Sequence, residues 1–575
     1  MSVSTGFTWV AAARADAHRW ISNCGADFFV FLAIVGAYLL PGLLGHDPWK
    51  QDETYIFGII HHMLQSGDYV VPTMAGEPFM EKPPLFYWVA AFLAQLLSPW
   101  LPLHDGARLA TGVFMAVTCG AIGWTARHWW GQGYGRVAVM ALLSCFGLVW
   151  YAHLMLTDVP VLTGFAVATA GLALCRERAL AGGVVLSVGV GIGFLGKGVI
   201  APGVIGIVAL LLPLLFREWR SRTYFQALAV SFVACLPWLL VWPIALYLRS
   251  QTLFMDWFWL NNVGRFLGFS VAELGAPHTP GYWYEALPTM TFPALPLACV
   301  TLWQKRREIL TQPPIQYSLL MFGVFMGMLI SAASARHSYI LPALAPVALM
   351  AAPAAVALPK WCDRLFDWSG RVLFGVLALC IWGVWVVLYR NGSVPDSWSA
   401  ITRVLPQHFN PPLDFNTLFV APFLSVAAVI LVLHYARKPG RGLMSWTLGL
   451  TLCWGLATSL WLEWVDYAKS YRSVYMSMAQ ALPEARKCIA SEHLGESERG
   501  MLDYMLGVVT RRQETDPTYT ECDVLLLGGR AGIRPDVDYS RWSLIWDGAR
   551  PGDTNERLWL LVERRALGMA KGAER

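Results

Sequence analysis

A chain of 575 residues with 56% hydrophobic and only 14% charged side chains does not divide into water-soluble domains, in which roughly a quarter of residues are charged. Its net charge of +5 lies in short basic clusters between apolar runs. That pattern gives no nucleic-acid signal and fits loops retained on the cytoplasmic side of a membrane. The aromatic residues suit interfacial belts, and a polytopic membrane protein is the class that remains.

A spanning helix needs about 20 apolar residues. Candidate runs lie at 27–45, 84–100, 107–126, 136–153, 159–176, 180–195, 198–215, 225–247, 287–303, 314–332, 338–357, 370–389, 416–434 and 443–463. The first has no small-residue cleavage site and is read as an uncleaved span. From 107–126 onward, basic clusters such as Arg217/Arg220/Arg222 and Lys305/Arg306/Arg307 recur after every second run. They share one side with Arg14 and Arg19 only if one early segment does not cross. The run 84–100 starts at Pro83-Pro84 and is short, so it is expected to lie in the outer interface. About 13 transmembrane helices follow, with the N-terminus cytoplasmic and the C-terminus outside.

This assignment gathers the unusual ionisable residues on the outer face. The loop 46–106 carries Asp52-Glu53, with Tyr55 close behind, and then Glu81-Lys82-Pro83-Pro84. Adjacent acids at the interface suit a general base or a metal ligand; Asp52 alternatively caps the helix it opens. Lys82 can hold a phosphate as a point charge, or it can pair with Glu81. Asp158, in Thr157-Asp158-Val159-Pro160, either caps the next helix or serves the site. Lys197 stands between two glycines in a nearly continuous apolar run, where an ionisable group is costly without a role. Arg265 and the pair Arg336-His337 add outer-edge cations. Acids and cations on one face suit a phosphate-bearing lipid substrate that enters sideways from the bilayer.

The Asp-Glu pair, the Lys-Pro-Pro segment, Asp158-Val-Pro160, the Lys197-Gly turn and Ser-Ala-Arg336-His-Ser-Tyr339-Ile-Leu-Pro342 occur in an order that resembles the GT-C integral-membrane glycosyltransferases. More narrowly, the chain from 27 to about 463 resembles the lipid A 4-amino-4-deoxy-L-arabinose transferases and their protein O-mannosyltransferase relatives. The resemblance implies an all-α GT-C catalytic domain over 1–463 and an inverting transfer from an undecaprenyl-phosphate sugar, with lipid A phosphate as the first acceptor reading. Transfer to a protein or glycan hydroxyl is the second. It implies Asp52 as the catalytic aspartate with Glu53 beside it, and Asp158 as the second-loop aspartate. Lys82, Arg265 and Tyr339 would face the donor phosphate, joined by Lys197 or Arg336. Glu81, Tyr55, Asn262 and His337 would line the cavity. Two positions depart from the family. Tyr55 stands near an expected arginine, and Asn262 near an expected histidine that would share a zinc ion with the glutamate. A divalent metal on Glu81 is therefore left open, with His278 or His337 as substitute ligands, and no other cofactor is expected. The partners implied are the donor, a periplasmic acceptor and membrane lipids, in a bacterial inner membrane.

The tail, 464–575, is polar and reads as a small α/β periplasmic domain. Strands are expected from Cys488, Asp523, Trp542 and Leu558, and a helix over 496–505. Cys488 and Cys522 fall at strand starts in an oxidising compartment, so a disulfide is expected. The tail shows no catalytic constellation. A transporter or flippase is the rival of another class; it would place charges near the bilayer midplane and show inverted repeats, neither of which the sequence has.

Overall fold

The structure is a computed structural model. It describes residues 26–274, 281–393 and 411–565, together with 395, 397, 398, 401, 405, 406 and 409. His278, Arg14 and Arg19 lie outside the described residues.

Each of the fourteen apolar runs forms a helix or a pair of helices. Among the described residues nine are long and apolar enough to cross a membrane, and a tenth span results if Tyr282–Thr291 and Ala294–Gln304, bent by 90°, count as one. The count of about 13 is not reached on length and apolarity. Ala26–Leu39, Tyr134–Leu143 and Ile200–Leu215 are helices of 14, 10 and 16 residues, shorter than the apolar runs they overlap. Leu85–Leu97 has 13 residues, about 20 Å at 1.5 Å per residue, which is too short for a 30 Å hydrocarbon core. Its exposed Phe92 and Leu96, with Trp100 beyond, suit a helix lying in the interface. The helix Arg222–Arg249 exposes Phe232, Val233, Val241 and Leu248, and only 22% of its apolar window is buried in protein. A face of that kind needs lipid against it. The chain is a multi-pass membrane protein.

The tightest helix pair sets the geometry of the site. Asp158–Cys175 and Ala179–Lys197 form an antiparallel hairpin across a seam of glycines. A Cβ added to Gly171 would fall 2.4 Å from the Leu186 nitrogen, and one on Gly189 2.3 Å from that of Ala168. Small residues let two backbones approach in this way. The helices have 18 and 19 residues, so the first residue of one, Asp158, and the last of the other, Lys197, come out at the same end.

The segment after the first apolar helix forms the helix Asp52–Ser66, a two-stranded hairpin (Thr73–Met74 with Glu77–Pro78) and the short helix Leu85–Leu97. Against it docks the C-terminal α/β unit, a five-stranded sheet. The strands run Arg511–Arg512, Ile489–Glu492, Val524–Arg530, Glu556–Glu563 and Trp542–Gly548 across the sheet, the first three parallel and the last two antiparallel to their neighbours. Cys488 and Cys522 form a disulfide. Docking is close: a Cβ on Gly58 would lie 3.0 Å from the Cα of Gly500. It is also ionic. Glu77 at the hairpin takes Arg499 at 2.8 Å and Arg512 at 2.7 Å. Asp47, buried in the loop, accepts from Arg472 Nε at 2.8 Å and Ser470 Oγ at 2.6 Å.

Candidate active site

Two neighbouring cavities share Glu81, Lys82, Lys197, Arg265 and Tyr339. The larger, about 470 Å³, is a groove with apolar walls that include Ile200, Val204, Phe266 and Met328. The smaller caps it with Asp52, Tyr55, Thr157, Asp158, Arg336 and Ser338. Nine of the candidate residues read from the sequence therefore converge on one polar pocket at the head of one apolar groove.

Each side chain is held. Asp52 is the first residue of its helix; Gln51 precedes it without capping. Its Oδ1 accepts from the Tyr55 hydroxyl at 3.0 Å and lies 3.4 Å from Arg336 Nη1. Burial raises its pKa above the ordinary aspartate value, and Arg336 and Tyr55 only partly offset this. Asp158 pairs with Lys197, whose ammonium sits 3.4 Å from the centroid of the Tyr339 ring. Glu81 lies between Lys82, at 3.4 Å, and Arg265. Burial disfavours its charge, but Lys82 and Arg265 outweigh burial and hold its pKa down at about 2. Arg265 also donates to the Leu274 carbonyl, while its Nε is buried without a partner.

Of the remaining three expected residues, Glu53 and His337 line neither cavity. Glu53 faces away from the pocket, and its carboxylate accepts from Arg108 Nε at 2.9 Å, the Trp49 backbone at 3.2 Å and the Met155 backbone at 3.1 Å. It thus ties the Asp52 helix to the segment that leads into Asp158. Asn262 lines the apolar groove, with its amide donating to the Trp257 carbonyl at 2.8 Å. His337 is bonded through Nδ1 to the Tyr282 hydroxyl at 2.9 Å and does not line the pocket.

The donor set does not fit a divalent metal. Glu81 already carries two cations, and among the described residues no three His, Cys, Asp or Glu side chains cluster in a way that could hold an ion.

Sequence reasoning missed Arg108, fully buried near the start of Leu103–Trp130. An arginine at that depth is itself a signal of a role. It also missed Glu496 of the C-terminal unit, whose ionisation feels Glu81, Arg265 and Arg336.

ArnT from Cupriavidus metallidurans, in a crystal structure with undecaprenyl phosphate bound, superposes with a TM-score of 0.68 over 93% of this chain and 98% of its own, at 17% identity. The model of the dolichyl-phosphate-mannose-protein mannosyltransferase family matches residues 81–242. The undecaprenyl phosphate-alpha-4-amino-4-deoxy-L-arabinose arabinosyl transferase of Pseudomonas paraeruginosa is 30% identical over 350 residues, covering 58% of this chain and 61% of the relative. The enzyme of the same name from Pectobacterium carotovorum is 31% identical over 366 residues, covering 60% and 62%. The chain thus spans about three-fifths of the length of these curated relatives.

Proposed function

We propose that this protein is an inverting glycosyltransferase of the bacterial inner membrane that moves a sugar from undecaprenyl phosphate to an acceptor on the periplasmic side. The acceptor read first is the phosphate of lipid A and the sugar is of the aminoarabinose type. The observation that carries this reading is the pairing of an apolar groove with a cation-lined polar head. A polyprenyl chain fits the groove, and its phosphate meets Lys82, Lys197 and the free Nε of Arg265. These cations stabilise the charge that develops on the leaving phosphate. Asp52 sits across the pocket, where it can orient the acceptor or take its proton. Asp158 fixes the Lys197 ammonium and faces the sugar. The N-terminus lies in the cytoplasm and the C-terminal α/β unit in the periplasm.

One observation favours the second acceptor class. A phosphate acceptor needs no base, whereas the raised pKa of Asp52 suits proton removal from a hydroxyl. Mass spectrometry of lipid A and undecaprenyl-linked lipids from cells with wild-type protein and with Asp52→Ala separates the readings. A sugar-sized mass on lipid A in wild type alone supports the first. Unchanged lipid A with an accumulating undecaprenyl-phosphate sugar in the mutant supports transfer to a protein or another glycan. No change in either pool refutes the transferase reading and favours a lipid-linked transporter.

A further inference from the structure

A second cavity, about 440 Å³, lies between the C-terminal sheet and Lys50 of the first outer loop. This volume is within the range of about 300–1,000 Å³ in which small-molecule sites fall. It opens at the carboxyl ends of the parallel strands Ile489–Glu492 and Val524–Arg530. From the first of these the chain passes through the helix Glu496–Leu506 to a strand on one side, while Val524–Arg530 lies on the other. Open α/β sheets bind ligands in the crevice formed where the order reverses in this way. At its edge His493 holds φ at 56°, a left-handed conformation uncommon outside glycine and seen near functional sites.

The lining is charged with a surplus of one sign. Lys50, Arg530, Arg550 and Arg557 face Glu498 and Glu556. Both acids are already engaged. Glu498 accepts from Lys50 at 2.9 Å and from the Tyr471 hydroxyl at 2.7 Å, and Glu556 pairs with Lys50 and, at 3.4 Å, with Arg550. Arg557 pairs with Asp547. Arg530 has no carboxylate within ion-pair distance among the described residues. The Asn555 amide and the apolar side chains of Val474 and Leu558 complete the wall. A bare phosphate would leave most of this volume unfilled, and an acyl chain would desolvate the charges. Hydroxyls match the amide and the carboxylates, ring C–H faces match Val474 and Leu558, and an acidic substituent matches the free guanidinium.

This cavity and the candidate active site share a thin wall. Lys50 is two residues from Asp52, at most about 7 Å along the chain. Ser497 bonds Thr54 at 2.8 Å. Glu496 feels the charges of the active-site pocket, and Glu498 lines the outer cavity. A ligand long enough to pass that wall would reach both. We propose that the C-terminal cavity binds an anionic saccharide: the part of a glycolipid acceptor beyond its reacting group, which is thereby aimed at Asp52. The assignment to the acceptor rests on the transferase reading above; the ligand class does not.

The test uses the intact protein in detergent and three probes: glucose 6-phosphate, glucose and inorganic phosphate. Glucose 6-phosphate is expected to bind at least about tenfold more tightly than either fragment, and Arg530→Glu to lose about tenfold or more of that affinity. Asn555→Ala, a milder change, is expected to weaken it less. In a transfer assay Arg530→Glu raises KM for the glycolipid acceptor and leaves kcat and the donor KM unchanged. Equal binding of all three probes, or none, overturns the saccharide site. Probe binding that Arg530→Glu weakens, with an unchanged acceptor KM, overturns the acceptor assignment in favour of a free anionic sugar. Probe binding by a wild-type protein that transfers nothing refutes the transferase reading while the ligand class stands.

Discussion

Glu53 and Arg108 form an ion pair at 2.9 Å in which the side chains are 1% and 0% exposed. Arg108 donates further to Asp105 at 2.8 Å and to the carbonyls of Leu43 and His46 at 3.3 and 3.0 Å. The pair fastens the start of the Asp52 helix to a transmembrane helix and, through the Met155 amide, to the approach to Asp158. The two acids proposed to work in the pocket are thus held in register by a third that does not enter it.

Removing one partner leaves the other charged and buried, which costs about 3–5 kcal/mol. Glu53→Ala and Arg108→Ala are each expected to lower the thermal midpoint of the purified protein sharply and to reduce transfer through loss of folded protein. Thermal denaturation in detergent checks this. A midpoint unchanged in both variants would refute the role assigned to the pair.

If Asp52 works as a base, its raised pKa sets the acid limb of the rate profile. Its carboxylate forms only above the ordinary aspartate range of about 4, so kcat/KM rises with pH through that higher value. Arg336→Ala removes a charge that favours the ionised form and is expected to move the limb further up. Profiles of wild type and Arg336→Ala, measured between pH 4 and 8, test both statements.

Arg265 is expected to bind donor phosphate in place of a metal. Arg265→Ala should weaken donor binding about 10–100-fold, as loss of a charge-assisted contact does. A millimolar chelator should leave wild-type transfer unchanged. Donor titrations with and without chelator decide the point, and inactivation reversed by a divalent ion would overturn it.

Asp466, on the short helix Leu462–Lys469 that follows the last candidate membrane span, couples that helix to the loop that carries Asp47 and Trp49. Its Oδ1 accepts from the Asp47 amide at 3.0 Å and from Trp49 Nε1 at 2.8 Å. Burial, reinforced by Asp47, raises its pKa to about 7. In the folded protein it keeps its proton to about 7, while the unfolded chain releases it near 4. Stability from this residue is therefore present below about 4 and falls as pH rises toward 7. Asp466→Asn keeps the acceptor oxygen without the charge. It is expected to raise the thermal midpoint at pH 8 by an amount worth about 2–4 kcal/mol, and to have little effect at pH 4.

Parts of the site were legible in the sequence for a physical reason. An ionisable residue at the end of an apolar run has few fates, and Lys197 between glycines or Asp158 before a helix stands out against hydrocarbon. The cap alternatives for Asp52 and Asp158 were equally legible, and only the directions of the side chains separated them. The Asp52 carboxylate meets Tyr55 and Arg336, and that of Asp158 meets Lys197. Glu53 could not be told from its neighbour by sequence, because adjacent helical residues differ by about 100° in direction and face different surroundings.

The sequence by itself determined the class of molecule, most of the helices and the strands of the tail. These follow from local quantities: apolar run length, charge placement and alternation along a strand. Tertiary structure alone decided which acids enter the pocket and which brace it, that Glu81 is held by two cations, and that the C-terminal unit docks against the loop beside Asp52. Those outcomes depend on contacts between residues up to several hundred positions apart, such as Lys50 with Glu498. Their formation is set by how closely the glycine-seamed helices and the docked sheet can pack, which no local pattern records.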